Sequence, residues 1–341
     1  MKNLIRNNIK NLQPYACARD EYKGDEGIFL DANENPFGEN NRYPDPYQKE
    51  LKAELSKIKN VETNQIFIGN GSDEVIDLLY RIFCNPGKDK VIVFTPTYGM
   101  YEVSAGINDV EVIKIPLTED FQIGKGSYDA YLNDETIKVM FICSPNNPTG
   151  NSIDNDAIED ILKRFKGIVF IDEAYIDFST KDSWLKRLNQ FPNLIISQTF
   201  SKAWGLAAVR VGIAYSNEEI ISYYNKVKPP YNVSKLNQEC VLEALKNSKK
   251  QEEEISLILK ERTKLVEALK GINGVVKIYP SDANFVLIEF QDGNAIYSDL
   301  IERKIITRNR SSVVKNTVRI SIGTKEENEK SIKEISLMSK V

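Results

Sequence analysis

The chain has 341 residues, 41% hydrophobic and 28% charged, with a formal net charge of −4 and no histidine. That length can bury a large core and is expected to divide into two domains, and the acidic balance without a basic run argues against a nucleic-acid surface. Without histidine there is no Ser-His-Asp or Cys-His mechanism and no imidazole metal site, so proton transfer near neutral pH falls to lysine, tyrosine, a carboxylate or a cofactor.

The first residues, Met1-Lys2-Asn3-Leu4-Ile5-Arg6-Asn7-Asn8, lack the apolar core of a signal peptide, and no apolar stretch approaches a membrane span. Cys17, Cys84, Cys143 and Cys240 are scattered, with no paired spacing for zinc or disulfides. The expectation is a cytoplasmic protein without a metal. Gly69-Asn70-Gly71-Ser72-Asp73-Glu74 leads into an amphipathic helix pattern over Asp73 to Phe83. Glycines let a backbone approach an anion and free amides at a helix start bind it, while the plainer reading is a cap by Ser72 or Asp73.

Val91 to Phe94, Val139 to Cys143, Ile168 to Ile171 and Leu194 to Ile196 are continuously apolar, as strands buried on both faces should be. A second amphipathic helix is predicted over Ala157 to Phe165. The alternation implies a mostly parallel sheet sandwiched by helices, with ligands at the carboxyl ends of the strands. Asn237 to Leu269 reads as one long charged helix with a break suggested near Asn247-Ser248. A strand over Val275 to Phe290, a helix over Ala295 to Arg303, a strand over Val318 to Ile322 and a helix over Glu326 to Ser339 follow. The predicted organisation is an arm (1–40) joining a smaller α/β domain, a large domain (41–236), and a connecting helix with the smaller domain (237–341).

Three runs fall at predicted strand ends. Ser144-Pro145-Asn146-Asn147-Pro148-Thr149-Gly150 follows the second strand, Asp172-Glu173-Ala174-Tyr175 ends the third, and Thr199-Phe200-Ser201-Lys202 follows the fourth, with Arg210 eight residues beyond Lys202. Lys202 can form a Schiff base with an aldehyde, and Thr199, Ser201 and Arg210 can hold a phosphate beside it. Aldehyde and phosphate together describe pyridoxal 5'-phosphate. Asp172 could keep a pyridine nitrogen protonated, and Asn147 and Tyr175 offer donors to a ring oxygen. Each run has a plainer reading: a surface Ser-Lys pair, a turn, a helix cap. Jointly and in this order they point to a cofactor site.

The three runs resemble those of the fold-type I aminotransferases, which implies a seven-stranded, mostly parallel sheet. It further implies that the amides of Gly71, Ser72 and Asp73 hold the cofactor phosphate, Asp73 through its backbone. Tyr98, in Pro96-Thr97-Tyr98-Gly99-Met100-Tyr101, matches the aromatic that stacks on the cofactor ring. Tyr43 matches a tyrosine that reaches the neighbouring subunit's cofactor phosphate, which implies a homodimer with shared sites.

Further runs narrow the resemblance to the histidinol-phosphate aminotransferases: Leu30-Asp31-Ala32-Asn33-Glu34-Asn35-Pro36-Phe37-Gly38, Arg42-Tyr43-Pro44-Asp45-Pro46, Ser281-Asp282-Ala283-Asn284-Phe285 and Val318-Arg319-Ile320-Ser321-Ile322-Gly323. Pro14-Tyr15 and Ile305-Ile306-Thr307-Arg308 extend it over nearly the whole chain. The implied reaction moves an amino group between L-histidinol phosphate and 2-oxoglutarate in histidine biosynthesis. One anion pocket must then accept glutamate's α-carboxylate and the phosphate of histidinol phosphate in turn. Arg319 matches the arginine for the carboxylate, Arg308 one that assists with phosphate, with Arg310 as the alternative. Asn147 also faces substrate, and Tyr15 is expected to close over the pocket. The rival readings are an aromatic or general aminotransferase, a threonine-phosphate decarboxylase, and a cofactor-binding regulator without turnover.

Overall fold

A computed structural model describes residues 4–15 and 27–338. The readings at Met1 to Asn3, at Cys17 and at Ser339 to Val341 lie outside the described residues. Strands β1 (Ile66–Gly69), β2 (Lys90–Thr95), β3 (Glu111–Pro116), β4 (Ile137–Cys143), β5 (Ile168–Asp172), β6 (Leu194–Thr199) and β7 (Gly212–Tyr215) form one sheet in the order β1-β7-β6-β5-β4-β2-β3. Strands β3, β2, β4, β5 and β6 are parallel; β7 runs antiparallel to both β6 and β1. The four apolar runs of the sequence are thus the central strands, and β5 is buried at every position.

Helices cover both faces. Leu51 and Leu55 of α2 (Lys49–Lys59), Ile158, Ile161 and Leu162 of α5 (Asn155–Arg164), and Val241, Leu242 and Leu245 of α7 (Lys235–Lys246) pack on one side. On the other lie α3 (Ser72–Phe83), α4 (Met100–Ile107) and α6 (Glu218–Val227). Helix α1 (Asn7–Asn11) joins this second face: Ile5 and Ile9 are buried in its core, and the Arg6 amide donates to the Ile82 carbonyl at 3.0 Å. The arm was expected to join the smaller domain. Its described start packs on the large one instead, because Ile5, just before α1, and Ile9 within it both carry apolar side chains into that face.

The predicted break at Asn247 is real. It separates α7 from α8 (Ser248–Leu269), whose Leu265 and Leu269 enter the core of the smaller domain. The stretch expected as one strand over Val275 to Phe290 is a hairpin, β8 (Val275–Ile278) and β9 (Phe285–Phe290), interrupted at Pro280 to Asn284. After α9 (Gly293–Glu302), β10 (Arg308–Asn309) and β11 (Thr317–Ser321) complete an antiparallel sheet, β10-β11-β9-β8, and α10 (Lys325–Met338) backs it. Val286, Ile288 and Phe290 of β9 face that core, whereas Phe285 leaves it to pack with Tyr175, Phe178, Ala203 and Ala283. This small cluster is where the two sheets meet. Among the described residues no helix is long and apolar enough to cross a membrane.

Candidate active site

Strand β7 assembles the first part of the site. Its Gly212 pairs with Gly69 on one side and with Thr199 on the other. Residues just after β1, just after β6 and just before β7 therefore meet at one place. The backbones approach so closely that a Cβ on Gly212 would stand 2.3 Å from the Ser72 amide nitrogen. Gly71 has φ +81°, and a Cβ there would lie 2.6 Å from Nη2 of Arg210. Helix α3 starts at Ser72 with no side-chain cap, so neither Ser72 nor Asp73 performs the capping role that a sequence alone would favour. Its first amides open toward Thr199, Ser201 and Arg210, which makes a cradle suited to an anion.

Asp73 departs from the expectation that only its backbone matters. Its carboxylate accepts from Arg210 Nη2 at 3.3 Å and from the Tyr98 hydroxyl at 3.2 Å. The Arg210 pair is long and half-exposed, so it stabilises little and leaves the guanidinium able to turn to a phosphate.

The next part lies at the ends of β4, β5 and β6. Asp172 is 4% exposed; its carboxylate accepts from the Tyr101 hydroxyl at 2.7 Å and from the Ala174 amide at 3.0 Å. Burial pushes its pKa up, and the Tyr101 and Ala174 hydrogen bonds and the Lys202 charge pull it back. The neighbouring Glu173 is equally buried but serves structure: it accepts from Ser183 Oγ, the Trp184 amide and Gln198 Nε2, fixing the chain that leaves β5. Lys202 reaches into the same cavity, with Nζ 5.7 Å from the centre of the Tyr175 ring. Desolvation lowers its pKa first and the Arg319 charge second, while Asp172 opposes both. A lysine so placed sheds its proton more readily than one in water.

Tyr101 is a site residue that its sequence context does not mark. It is fully buried, stacks on Phe141 at 4.7 Å and meets Tyr98 edge-on at 5.6 Å. The signal for it was the three-residue spacing from Tyr98, which a helical start such as α4 turns into neighbours.

The smaller domain supplies the last part. Arg319 on β11 is the register partner of Arg308 on β10, and Arg310 follows two residues later. All three line the cavity, the alternative Arg310 as well as Arg308. Arg319 Nη1 donates to Asn147 Oδ1, and its guanidinium lies 5.1 Å over the Phe285 ring. Asn147 Nδ2 in turn lies 3.5 Å from the Tyr175 hydroxyl, at the long limit of a hydrogen bond. Burial lowers the pKa of both Arg310 and Arg319.

The cavity holds about 600 Å³. It gathers Ser72, Asp73, Tyr98, Asn147, Asp172, Tyr175, Thr199, Ser201, Lys202, Arg210, Arg308 and Arg319 from the sequence reading, together with Arg310. Three expected residues are not brought in. Gly71 stands behind the wall, with its amide donating to the Gly69 carbonyl at 2.9 Å. Tyr15 is 72% exposed. Tyr43 stacks on Tyr231 at 4.3 Å and lines a separate groove with Glu34, Arg42 and Lys235. The donor set fits pyridoxal phosphate: uncapped amides, hydroxyls and a guanidinium for phosphate, an amine for the aldehyde, and a buried carboxylate for a protonated ring nitrogen.

The fold and this site define a class of protein, and residues 15–335 match the model of the family described as aminotransferase class I and II. Its cofactor is pyridoxal 5'-phosphate. The chain belongs, within that class, to the histidinol-phosphate aminotransferase family. It is 51% identical over 337 residues to the histidinol-phosphate aminotransferase of Cytophaga hutchinsonii, covering 97% of both chains. Identity is also 51%, over 344 residues and 98% of both chains, to that of Flavobacterium johnsoniae. The crystal structure of the histidinol-phosphate aminotransferase from Clostridium acetobutylicum superposes with a TM-score of 0.82 at 24% identity, covering 88% of this chain and 91% of that one. At that identity the superposition speaks for the fold alone.

Proposed function

We propose that the chain transfers the amino group between L-histidinol phosphate and 2-oxoglutarate, as a step of histidine biosynthesis in the cytoplasm. The observation that carries this reading is one cavity joining a lysine-and-carboxylate end to an end walled by three arginines, in a chain half identical to histidinol-phosphate aminotransferases.

The amides of Ser72 and Asp73, the hydroxyls of Thr199 and Ser201, and Arg210 would hold the cofactor phosphate. Tyr98 would cover the ring, Asp172 would keep a proton on its nitrogen, and Asn147 and Tyr175 would donate to its oxygen. When bound, the cofactor supplies an electron sink for the charge left on the substrate carbon after proton removal. Lys202 Nζ would take that proton from the substrate carbon and hand it to the carbon that carried the cofactor's aldehyde; its depressed pKa suits the task, and no histidine competes. Arg319 and Arg308 orient the donor through its carboxylate or phosphate, which holds the reacting carbon near Nζ.

A homodimer completes this reading. Ile28, Leu30 and Phe37 are 91%, 87% and 81% exposed, a run of apolar side chains that a second copy would cover. Tyr43 lies away from its own chain's cavity, as a residue serving the neighbour's site would. The test is a half-reaction without acceptor. Holoenzyme mixed with L-histidinol phosphate should lose its cofactor aldehyde absorbance and yield pyridoxamine phosphate, whereas phenylalanine and threonine phosphate should react far more slowly. A faster reaction with phenylalanine, or release of carbon dioxide from threonine phosphate, would move the chain to another activity.

A further inference from the structure

Arg308, Arg310 and Arg319 place three guanidinium groups on one wall of the cavity, and among the described residues no carboxylate forms an ion pair with any of them. Arg319 spends one nitrogen on Asn147. The Nε atoms of Arg310 and of Arg319 are buried and have no hydrogen-bond partner. A buried donor left in that condition is costly unless a ligand answers it. Arg310 is also crowded: after desolvation, the charges of Arg319 and Arg308 weigh most against its own.

A carboxylate brings one charge and two oxygens. A phosphate monoester brings close to two charges at neutral pH and three terminal oxygens. Two arginines suffice for the first; the third has work only with the second. We infer that Arg310 is a specificity-determining residue that biases the substrate-anion wall toward a phosphate-monoester dianion over a carboxylate. Arg319 and Arg308 then serve both donors, and Arg310 separates them. This rests on the proposed reaction, in which one wall meets both kinds of anion.

The experiment uses holoenzyme, so that the cofactor's own phosphate fills the cradle at α3. Single-turnover rates are measured for wild type, Arg310→Gln and Arg310→Lys with L-histidinol phosphate and with L-glutamate. Inorganic phosphate is then titrated as a competitor of the glutamate reaction. Arg310→Gln should lose about tenfold in kcat/KM for histidinol phosphate, the size of one charged hydrogen bond, and raise the phosphate inhibition constant about as much. Glutamate should stay within about threefold, and Arg310→Lys should recover part of the loss, since a point charge lacks the fork of a guanidinium. Equal losses for both donors, lost cofactor content, or unchanged phosphate inhibition would overturn the assignment. If wild type transaminates glutamate but not histidinol phosphate, the proposed reaction fails, and the phosphate titration still decides the role of Arg310.

Discussion

At the large-domain end of the cavity the buried carboxylate of Asp172 is already held by Tyr101 and Ala174, and behind the cavity wall Glu173 is held by Ser183, Trp184 and Gln198. At the smaller-domain end, buried nitrogens of Arg310 and Arg319 stand without partners and the guanidiniums repel one another. The first end holds one group in one pose, so its geometry is fixed before anything binds. The second must take two anions of different size and charge in turn, and unsatisfied donors are the means to do so. Preorganisation belongs where the chemistry is common to both half-reactions, and adaptability where the substrates differ.

The comparison is tested most severely at Lys202. Lys202→Ala should keep the fold but lose at least about a thousandfold in turnover, because it removes both the covalent anchor and the proton carrier. Borohydride treatment should fix cofactor on wild type, with the label on the Lys202 peptide, and should not do so on the variant. Near-wild-type transamination would remove Lys202 from the site.

Asp172→Asn comes next, with a rate loss of about a hundredfold, or roughly 2.7 kcal/mol of barrier. The same change should stabilise the cofactor-free protein near neutral pH. Burial raises the folded-state pKa of Asp172 above 3.8. Its contribution is therefore most favourable below that value and is lost as pH climbs through the raised one. Denaturant titration of both apoproteins at pH 5 and pH 8 checks the sign: the variant's advantage should grow with pH. An advantage that shrinks would mean that Tyr101 and Ala174 outweigh burial.

The smallest effect sharpens the large-domain end by asking whether one chain builds it alone. If Tyr43 serves the neighbour's cofactor, a purified heterodimer of Lys202→Ala and Tyr43→Ala carries both lesions in one site and neither in the other. It should show about half of wild-type activity at limiting cofactor, a consequence of two-fold symmetry. Recovery no better than half of the Tyr43→Ala homodimer would keep Tyr43 within its own chain.

How much of this was legible in the sequence divides along the same line. Strands β2, β4, β5 and β6 are buried on both faces and so read as unbroken apolar runs, and the site residues at their ends were placed with them. Strand β3 lies at the sheet edge, begins at Glu111 and is interrupted by Lys114, and β1 and β7 are four residues long, so neither pattern nor length betrayed them. Yet β7 is what draws Gly71, Thr199 and Arg210 together. The hairpin of β8 and β9 was read as one strand because its turn, Pro280 to Asn284, is polar but followed at once by another apolar run. The arginine wall was foreseen by resemblance at Arg308 and Arg319. Arg310, named as the alternative, follows just beyond the short strand β10 and lines the same cavity.

The division of labour between the two ends is tested most directly by one ratio: kcat/KM for L-histidinol phosphate over kcat/KM for L-glutamate, measured for wild type, Asp172→Asn and Arg310→Gln. Asp172→Asn should depress both terms alike and leave the ratio within about twofold, while Arg310→Gln should lower it at least about threefold, the difference between its losses for the two donors. A ratio that moves with Asp172, or that stays fixed when Arg310 is replaced, would contradict the account.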